Sequence, residues 1–228
     1  MKKCYSITMD QDTLKQQVAK AVLEYIQGPV LGVGTGSTIN FLIDLLPQVK
    51  NRLEGTVASS EETAKRLKAK GFTVFDANSV DEIPLYIDGA DEVDPQRRMI
   101  KGGGGALTRE KILATSSRKF ICLVDESKFV PHLGQFPVAV EVVPFARHFI
   151  AKEILSQFKG KPTLRRHFTT DNGLVILDVM NLDLQEPYRL EERLKLIPGV
   201  VENGIFARRI ADFVLIAKKD GVMQLGRL

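Results

Sequence analysis

The chain has 228 residues, 44% of them apolar and 26% charged, with a formal net charge of +4. That length holds one large domain or two smaller ones around a real core, and the composition is that of an ordinary globular protein. The weak positive charge, the absence of Trp and the lack of a Lys/Arg run interleaved with aromatics speak against a nucleic-acid-binding surface.

The two cysteines, Cys4 and Cys122, make no disulfide framework and fit a reducing cytoplasm. Cys122 sits in the apolar run Phe120 to Val124 and reads as a buried, inert thiol. His132, His148 and His167 show no metal-ligand spacing, so a metal site is not expected. The N-terminus lacks an apolar leader core, and no stretch reaches membrane-spanning length.

In chain order, Asp10 or Asp12 opens a helix whose apolar stripe is Leu14, Val18, Val22 and Ile26, closed by Gly28-Pro29. Val30 to Val33 is a short buried strand, followed by GTGST and a helix running to Pro47. Thr56 to Ala58 is a strand, and Ser59-Ser60 caps a helix ending near Gly71. Strands are expected at 72–75, 85–87 and 120–124, with a helix over 106–116. This alternation predicts a parallel, doubly wound sheet. From about Phe136 the rhythm changes. A strand at 138–143, a helix at 145–158, strands at 163–168 and 174–180 joined through Asp171-Asn172-Gly173, a helix at 187–197 and a strand at 200–207 follow one another. The order β-α-β-β-α-β is that of a ferredoxin-like unit. Phe213 to Ala217 is one more strand that can rejoin the first sheet. The expected division is therefore a Rossmann-like main domain of residues 1–135 and 208–228, and a smaller α+β domain of residues 136–207.

Three segments carry candidate chemistry. GVGTGST, Gly32 to Thr38, stands between a strand and a helix, where glycine backbone amides, three hydroxyls and a helix N-terminus suit an anion. Ser37 replaces the last glycine of a dinucleotide fingerprint, and the next strand ends in Ser59-Ser60 instead of a ribose-binding acid. A phosphate or polyol site fits better than a dinucleotide, and a plain tight turn is the competing explanation. DGAD, Asp88 to Asp91, lies at a strand's carboxyl end, where ligands bind in open α/β sheets; alone it is also a common solvated turn. Lys101 with Gly102, Gly103, Gly104 and Gly105 offers a cation and exposed amides to a developing oxyanion. Four ordered glycines cost much chain entropy, which suggests close approach of a ligand to their backbone. Glu110 alone reads as a helix-start acid. Lys128 and Lys15 alone read as surface cations.

Together GVGTGST, YIDGADEVD, MIKGGGGALTREKI and VDESK, in this order, resemble ribose-5-phosphate isomerase of the A type. The likeness continues through ILDV at Ile176 to Val179 and IPGVVENGIFA at Ile197 to Ala207. The resemblance implies interconversion of D-ribose 5-phosphate and D-ribulose 5-phosphate in the non-oxidative pentose phosphate pathway. It also implies no metal or other cofactor, a Rossmann-like main domain with a small α+β domain, and a homo-oligomer, often a dimer. By motif, the catalytic base falls on Glu110. Substrate binding falls on Thr35, Gly36, Ser37 and Thr38, on Asp88, Gly89, Ala90 and Asp91, on Lys101, Gly102, Gly103 and Gly104, and on Lys128 and Lys15. Lys101 is expected to stabilise an enediolate, and Asp88 or Asp91 to handle hydroxyl protons. Gly105 stands where alanine is also common in the family. A non-catalytic sugar-phosphate sensor of related fold is the alternative; it would need a DNA-binding module, and no helix-turn-helix extension precedes the core.

Overall fold

The computed structural model describes residues 10–227, so Cys4 lies outside them. Helix α1 (Gln11–Ala21) leads to strand β1 (Val30–Val33), then helix α2 (Ser37–Leu45), strand β2 (Gly55–Ala58) and helix α3 (Glu61–Ala69). Strand β3 (Ile83–Gly89), the two-residue strands β4 (Glu92–Val93) and β5 (Met99–Ile100), helix α4 (Leu107–Ser116) and strand β6 (Ser117–Asp125) follow. The next elements are β7 (Val138–Val142), α5 (Arg147–Phe158), β8 (Lys161–Leu164), β9 (Val175–Met180), α6 (Pro187–Lys195) and β10 (Val200–Asn203). The chain finishes with β11 (Ile205–Phe206), β12 (Phe213–Lys218) and β13 (Gly221–Gly226).

The main sheet has the order β13-β12-β6-β3-β1-β2. All its pairings are parallel except the β12–β13 hairpin. Strands covered on both faces must be apolar throughout, and β1 and β12 are buried along nearly their whole length. Side chains alternate between the two faces. Leu85 and Ile87 of β3 join Leu14 and Val18 of α1 and Leu42 of α2 in one core. Tyr86 points the other way, into a core with Phe120, Cys122, Leu113 and Phe206. Cys122 is free and buried, and burial pushes its thiol up to about 12. Ser60 caps α3 by accepting from Thr63 N at 3.1 Å.

The second sheet is antiparallel in the order β10-β7-β9-β8 and is formed by the β-α-β-β-α-β segment, as the sequence predicts. One face, with Val138, Val140, Leu177 and Val179, packs on Ile150 and Ile154 of α5 and Leu190 and Leu194 of α6. The other face turns towards the first sheet: Ala139 and Ile176 cluster with Leu107 of α4 and with Phe168.

Four local expectations change. The segment 72–75 forms only a single bridge, Thr56 to Val74. The strand expected at 163–168 stops at Leu164, because His167 has φ 55, outside the extended region. The edge strand β13 has no fully buried residue and therefore no apolar alternation to announce it. The strand expected over 200–207 divides at Gly204, so that β10 pairs with β7 and β11 with β5 in a third small sheet, β11-β5-β4. Gly204 is the crossing point. It accepts from Lys101 N at 2.8 Å and donates to Ala139 O at 2.7 Å, and a Cβ there would overlap the carbonyl of Lys101. Gly204→Ala is therefore expected to cost about 1–3 kcal/mol, the scale of forced overpacking. A lower urea midpoint at unchanged slope would show it.

Candidate active site

Strand β1 leads through α2 to β2 on one side, and its other neighbour β3 leads on to β6 on the opposite side, so the connections leave the adjacent carboxyl ends of β1 and β3 in opposite directions. In open α/β sheets such a switch point opens a crevice. The Gly34 N–H donates to Ile87 O at 2.9 Å, and a Cβ on Gly34 would overlap the Asp88 carboxylate. Thr35 N then donates to Asp88 Oδ1 at 3.1 Å, joining the ends of β1 and β3. The Thr35 hydroxyl is engaged by Ser59 Oγ at 2.7 Å and Ser60 Oγ at 2.8 Å, which ties β1 to the end of β2. Gly36, with φ 130, lets the chain turn into α2. The free amides of the first turn of α2, and the Ser37 and Thr38 side chains, border a cavity of about 300 Å³. Lys15 of α1 and Lys128, in the short turn after β6, line the same cavity. Lys15 also pairs with Asp12 at 3.1 Å.

The opposite wall holds a buried charge cluster. Lys101 Nζ lies 2.8 Å from Asp88 Oδ2 and 3.2 Å from Glu110 Oε2, and donates to Gly89 O at 2.5 Å. All three side chains are buried. Asp88 also accepts from Gly89 N at 2.7 Å and from the buried Tyr86 hydroxyl at 2.5 Å. Burial disfavours the Lys101 cation, but Asp88 and then Glu110 outweigh it, and its ammonium is held above the ordinary lysine value. Glu110 moves in the unusual direction for a paired carboxyl. Burial pushes it up from 4.5 to about 8, against the pull of Lys101 and with a push from Asp88. Tyr86 is raised by burial and then by Asp88, so it stays a neutral donor. Glu110 Oε2 is buried and accepts no hydrogen bond from the protein, although Lys101 is at ion-pair distance.

The glycine run is shaped from behind. Gly102 (φ 106) and Gly105 (φ 80) occupy backbone regions that side chains avoid. A Cβ would meet Ala139 at the first and overlap the Phe168 ring at the second, and both partners belong to the second sheet's segment. Gly103 N donates to Asp91 Oδ2 at 2.8 Å. Only Gly104 has ample room, with Thr35 Cγ2 3.8 Å from its would-be Cβ. The run is thus needed mainly for packing and for Asp91, and less for ligand approach than its composition suggested.

A family model described as ribose 5-phosphate isomerase A (phosphoriboisomerase A) matches residues 55–221. The chain belongs to the ribose 5-phosphate isomerase A family. A ribose-5-phosphate isomerase A of Acidithiobacillus ferrooxidans is 55% identical over 95% of this chain and 99% of its own length. The crystal structure of ribose 5-phosphate isomerase A from Neisseria gonorrhoeae superimposes with a TM-score of 0.93 at 40% identity, covering 96% of this chain and 98% of that one. A D-ribose-5-phosphate isomerase in complex with phospho-erythronic acid superimposes with a TM-score of 0.91 at 39% identity, covering 96% of this chain and 100% of that one. The activity is therefore that of an isomerase of ribose 5-phosphate, and the fold is the family's α/β fold.

Against that background, nearly every motif residue borders one cavity: Lys15, Thr35 to Thr38, Gly89 to Asp91, Lys101 to Gly104, Glu110 and Lys128. Asp88 is the exception. It lies behind the wall, where protein donors fill its carboxylate. Sequence reasoning missed Gln11 and Asp125, which also line the cavity and meet at 3.3 Å. It also missed Arg109, beside Glu110. Arg109 bonds Glu61 at 2.8 Å, Asn172 Oδ1 at 3.0 Å and Asp171 O at 3.1 Å, fastening α4 to α3 and to the β8–β9 connection. Among the described residues no group of three His, Cys, Asp or Glu is arranged to hold a metal ion, and no helix is long and apolar enough to cross a membrane.

Because the folded protein holds Glu110 above its unfolded value, the unfolded chain loses this proton first as pH rises. The group's contribution to stability therefore falls between 4.5 and about 8. Glu110→Gln removes that contribution, so the variant is expected to gain stability over the parent as pH rises through this window. Paired urea titrations across the window check it, and a constant difference would contradict the raised value.

Proposed function

We propose that the chain interconverts D-ribose 5-phosphate and D-ribulose 5-phosphate through an enediolate, with Glu110 moving a proton between carbon 2 and carbon 1. The observation that carries this reading is the Glu110 carboxylate: buried, raised towards neutrality, bordering the cavity and with an oxygen left unbonded beside a buried ammonium. A base works best when its pKa lies near the working pH. Isomerisation leaves the proton count unchanged: the carboxylate takes the proton from carbon 2 and the electrons pass onto the carbonyl oxygen at carbon 1, then the carbon-2 hydroxyl proton moves to that oxygen as carbon 2 becomes the carbonyl, and Glu110 returns its proton to carbon 1. Lys101 stabilises the oxyanion formed on the way, in a site where desolvation strengthens its charge. Asp91 faces the cavity and handles hydroxyl protons, including those of ring opening. Asp88 holds Lys101, Thr35 N and the Tyr86 hydroxyl in place. The amides at the start of α2, Ser37, Thr38, Lys15 and Lys128 bind the phosphate.

The positive charge that a metal ion would bring to the enediolate is already supplied by Lys101, which supports metal-independent turnover. Two packed sheets with separate cores support a main domain of residues 1–135 and 208–228 and a small domain of residues 136–207. Phe145 is fully exposed and Leu196 79% exposed on the small sheet's segment, in keeping with a homo-oligomer such as a dimer. A soluble enzyme of the pentose phosphate pathway working in the cytoplasm fits the cysteine usage.

Glu110→Gln is expected to lower kcat by about 10²–10⁴-fold, the usual worth of a general base, with the fold intact. Formation of ketose from ribose 5-phosphate measures it, and near-parental turnover would remove Glu110 from this role. Activity should survive a chelator unchanged; loss in chelator with recovery on adding a divalent ion would refute metal independence. Phospho-erythronic acid carries a planar anionic carboxylate where the enediolate would form, and is expected to compete with ribose 5-phosphate.

A further inference from the structure

We infer that Arg165 is a positioning residue for the isomerisation, acting from the second sheet through the peptide groups of the glycine run; this rests on the enediolate reading above. Arg165 follows β8 directly. Its Nη1 donates to Gly102 O at 3.1 Å and to Gly103 O at 3.2 Å. The guanidinium is itself fixed. Nε and Nη2 donate to the two carboxylate oxygens of Asp178 at 2.9 and 2.5 Å, and the group lies over the Phe168 ring, 5.3 Å from its centre. Phe168 is the ring that packs on Gly105.

The consequence follows from peptide geometry. In a trans peptide the carbonyl and the next N–H point in opposite directions. Turning Gly102 O to Arg165 aims Gly103 N–H away from it, at Asp91 Oδ2, where the bond is 2.8 Å. Turning Gly103 O to Arg165 aims Gly104 N–H away as well. Gly104 borders the cavity, and among the described residues its N–H has no hydrogen-bond acceptor. One guanidinium thus sets the direction of two peptide units in the most flexible stretch of the site. One of those units holds Asp91, and the other carries a free N–H donor on a residue that borders the cavity. Glycines have no side chains to hold such an orientation, and the Asp178 carboxylate keeps the fork from turning. Lysine carries the charge but cannot bridge Asp178 in this bidentate way.

The test compares the parent with Arg165→Met, Arg165→Lys and Asp178→Asn. Steady-state conversion of ribose 5-phosphate, inhibition by inorganic phosphate and thermal midpoints are read for each. Expected for Arg165→Met is a fall in kcat of about 10–100-fold, below the roughly 10²–10³-fold of losing an oxyanion donor outright, because the donor is misaimed and not removed. KM and phosphate inhibition are expected to stay within about threefold, because the phosphate wall lies elsewhere. Arg165→Lys should recover only part of kcat, and Asp178→Asn should show the same selective loss in weaker form. An unchanged kcat in Arg165→Met overturns the inference. So does a loss of kcat that Arg165→Lys restores fully, or one matched in every variant by weaker phosphate binding and a lower thermal midpoint, as general damage would give. If the parent itself makes no ketose, the enediolate reading fails; if the parent turns over and the variants match it, only the role of Arg165 fails.

Discussion

A lysine ammonium buried among two carboxylates and a carbonyl organises this protein. Lys101 is 3% exposed, and removing a charge from water is costly unless good partners receive it. Asp88, Gly89 O and Glu110 receive it, and they come from β3 and α4, on either side of the glycine run. The cluster therefore fixes where the run begins, where α4 starts and how β3 ends. Its charge count matters as much as its geometry. One ammonium shared by two carboxylates cannot satisfy both, and Asp88 holds the better share through a shorter contact and three further donors. Glu110 is left under-compensated, in keeping with the role of base proposed for it.

The surrounding fold keeps that imbalance in place from two directions. From the main sheet, Thr35 N and the Tyr86 hydroxyl hold Asp88, while the close approach at Gly34 leaves it no room to turn. From the second sheet, Ala139, Phe168, Arg165 and Gly204 press on the backbone between Lys101 and Gly105. The face of that sheet that does not hold its own core is thus part of the site's support. The buried Glu141 of β7 shows the same division of labour, since it accepts from Thr108 of α4 and from Asn172 at 3.2 Å.

Much of this was legible in the sequence because the signals were local. Apolar runs bounded by caps and glycines mark β1, β3, β6 and β12, and the change of rhythm near Phe136 marks the second sheet. Thr35 to Thr38, Asp88 to Asp91 and Lys128 gather because each stands at or just after the carboxyl end of a parallel strand, β1, β3 or β6, whereas Lys101 follows β5 of the small third sheet, Glu110 lies on α4 and Lys15 on α1. What the sequence concealed depends on register and on partners far along the chain. Nothing near Thr35 says that its hydroxyl faces Ser59 and Ser60 instead of a ligand. The division proposed between Asp88 and Asp91 depends on where β3 ends: Asp88 is still in the strand and lies behind the wall, whereas Asp91 comes after it and lines the cavity. Arg109 and Arg165 read as ordinary surface cations until the β8–β9 connection is placed against α3 and the glycine run. Gly204 looked like part of a continuous strand because its conflict is with Lys101, about a hundred residues earlier.

The protonated state of Lys101 has one more chemical effect. An aldose phosphate must open to an aldehyde before its carbon-2 proton becomes acidic, and a neutral amine next to an aldehyde condenses with it to an imine. An ammonium cannot, because its lone pair is taken. By holding Lys101 above the ordinary lysine value, Asp88 and then Glu110 keep it in the form that does not condense with an aldehyde. The ion pairing that equips Lys101 for its proposed role thus also withholds the lone pair that imine formation needs.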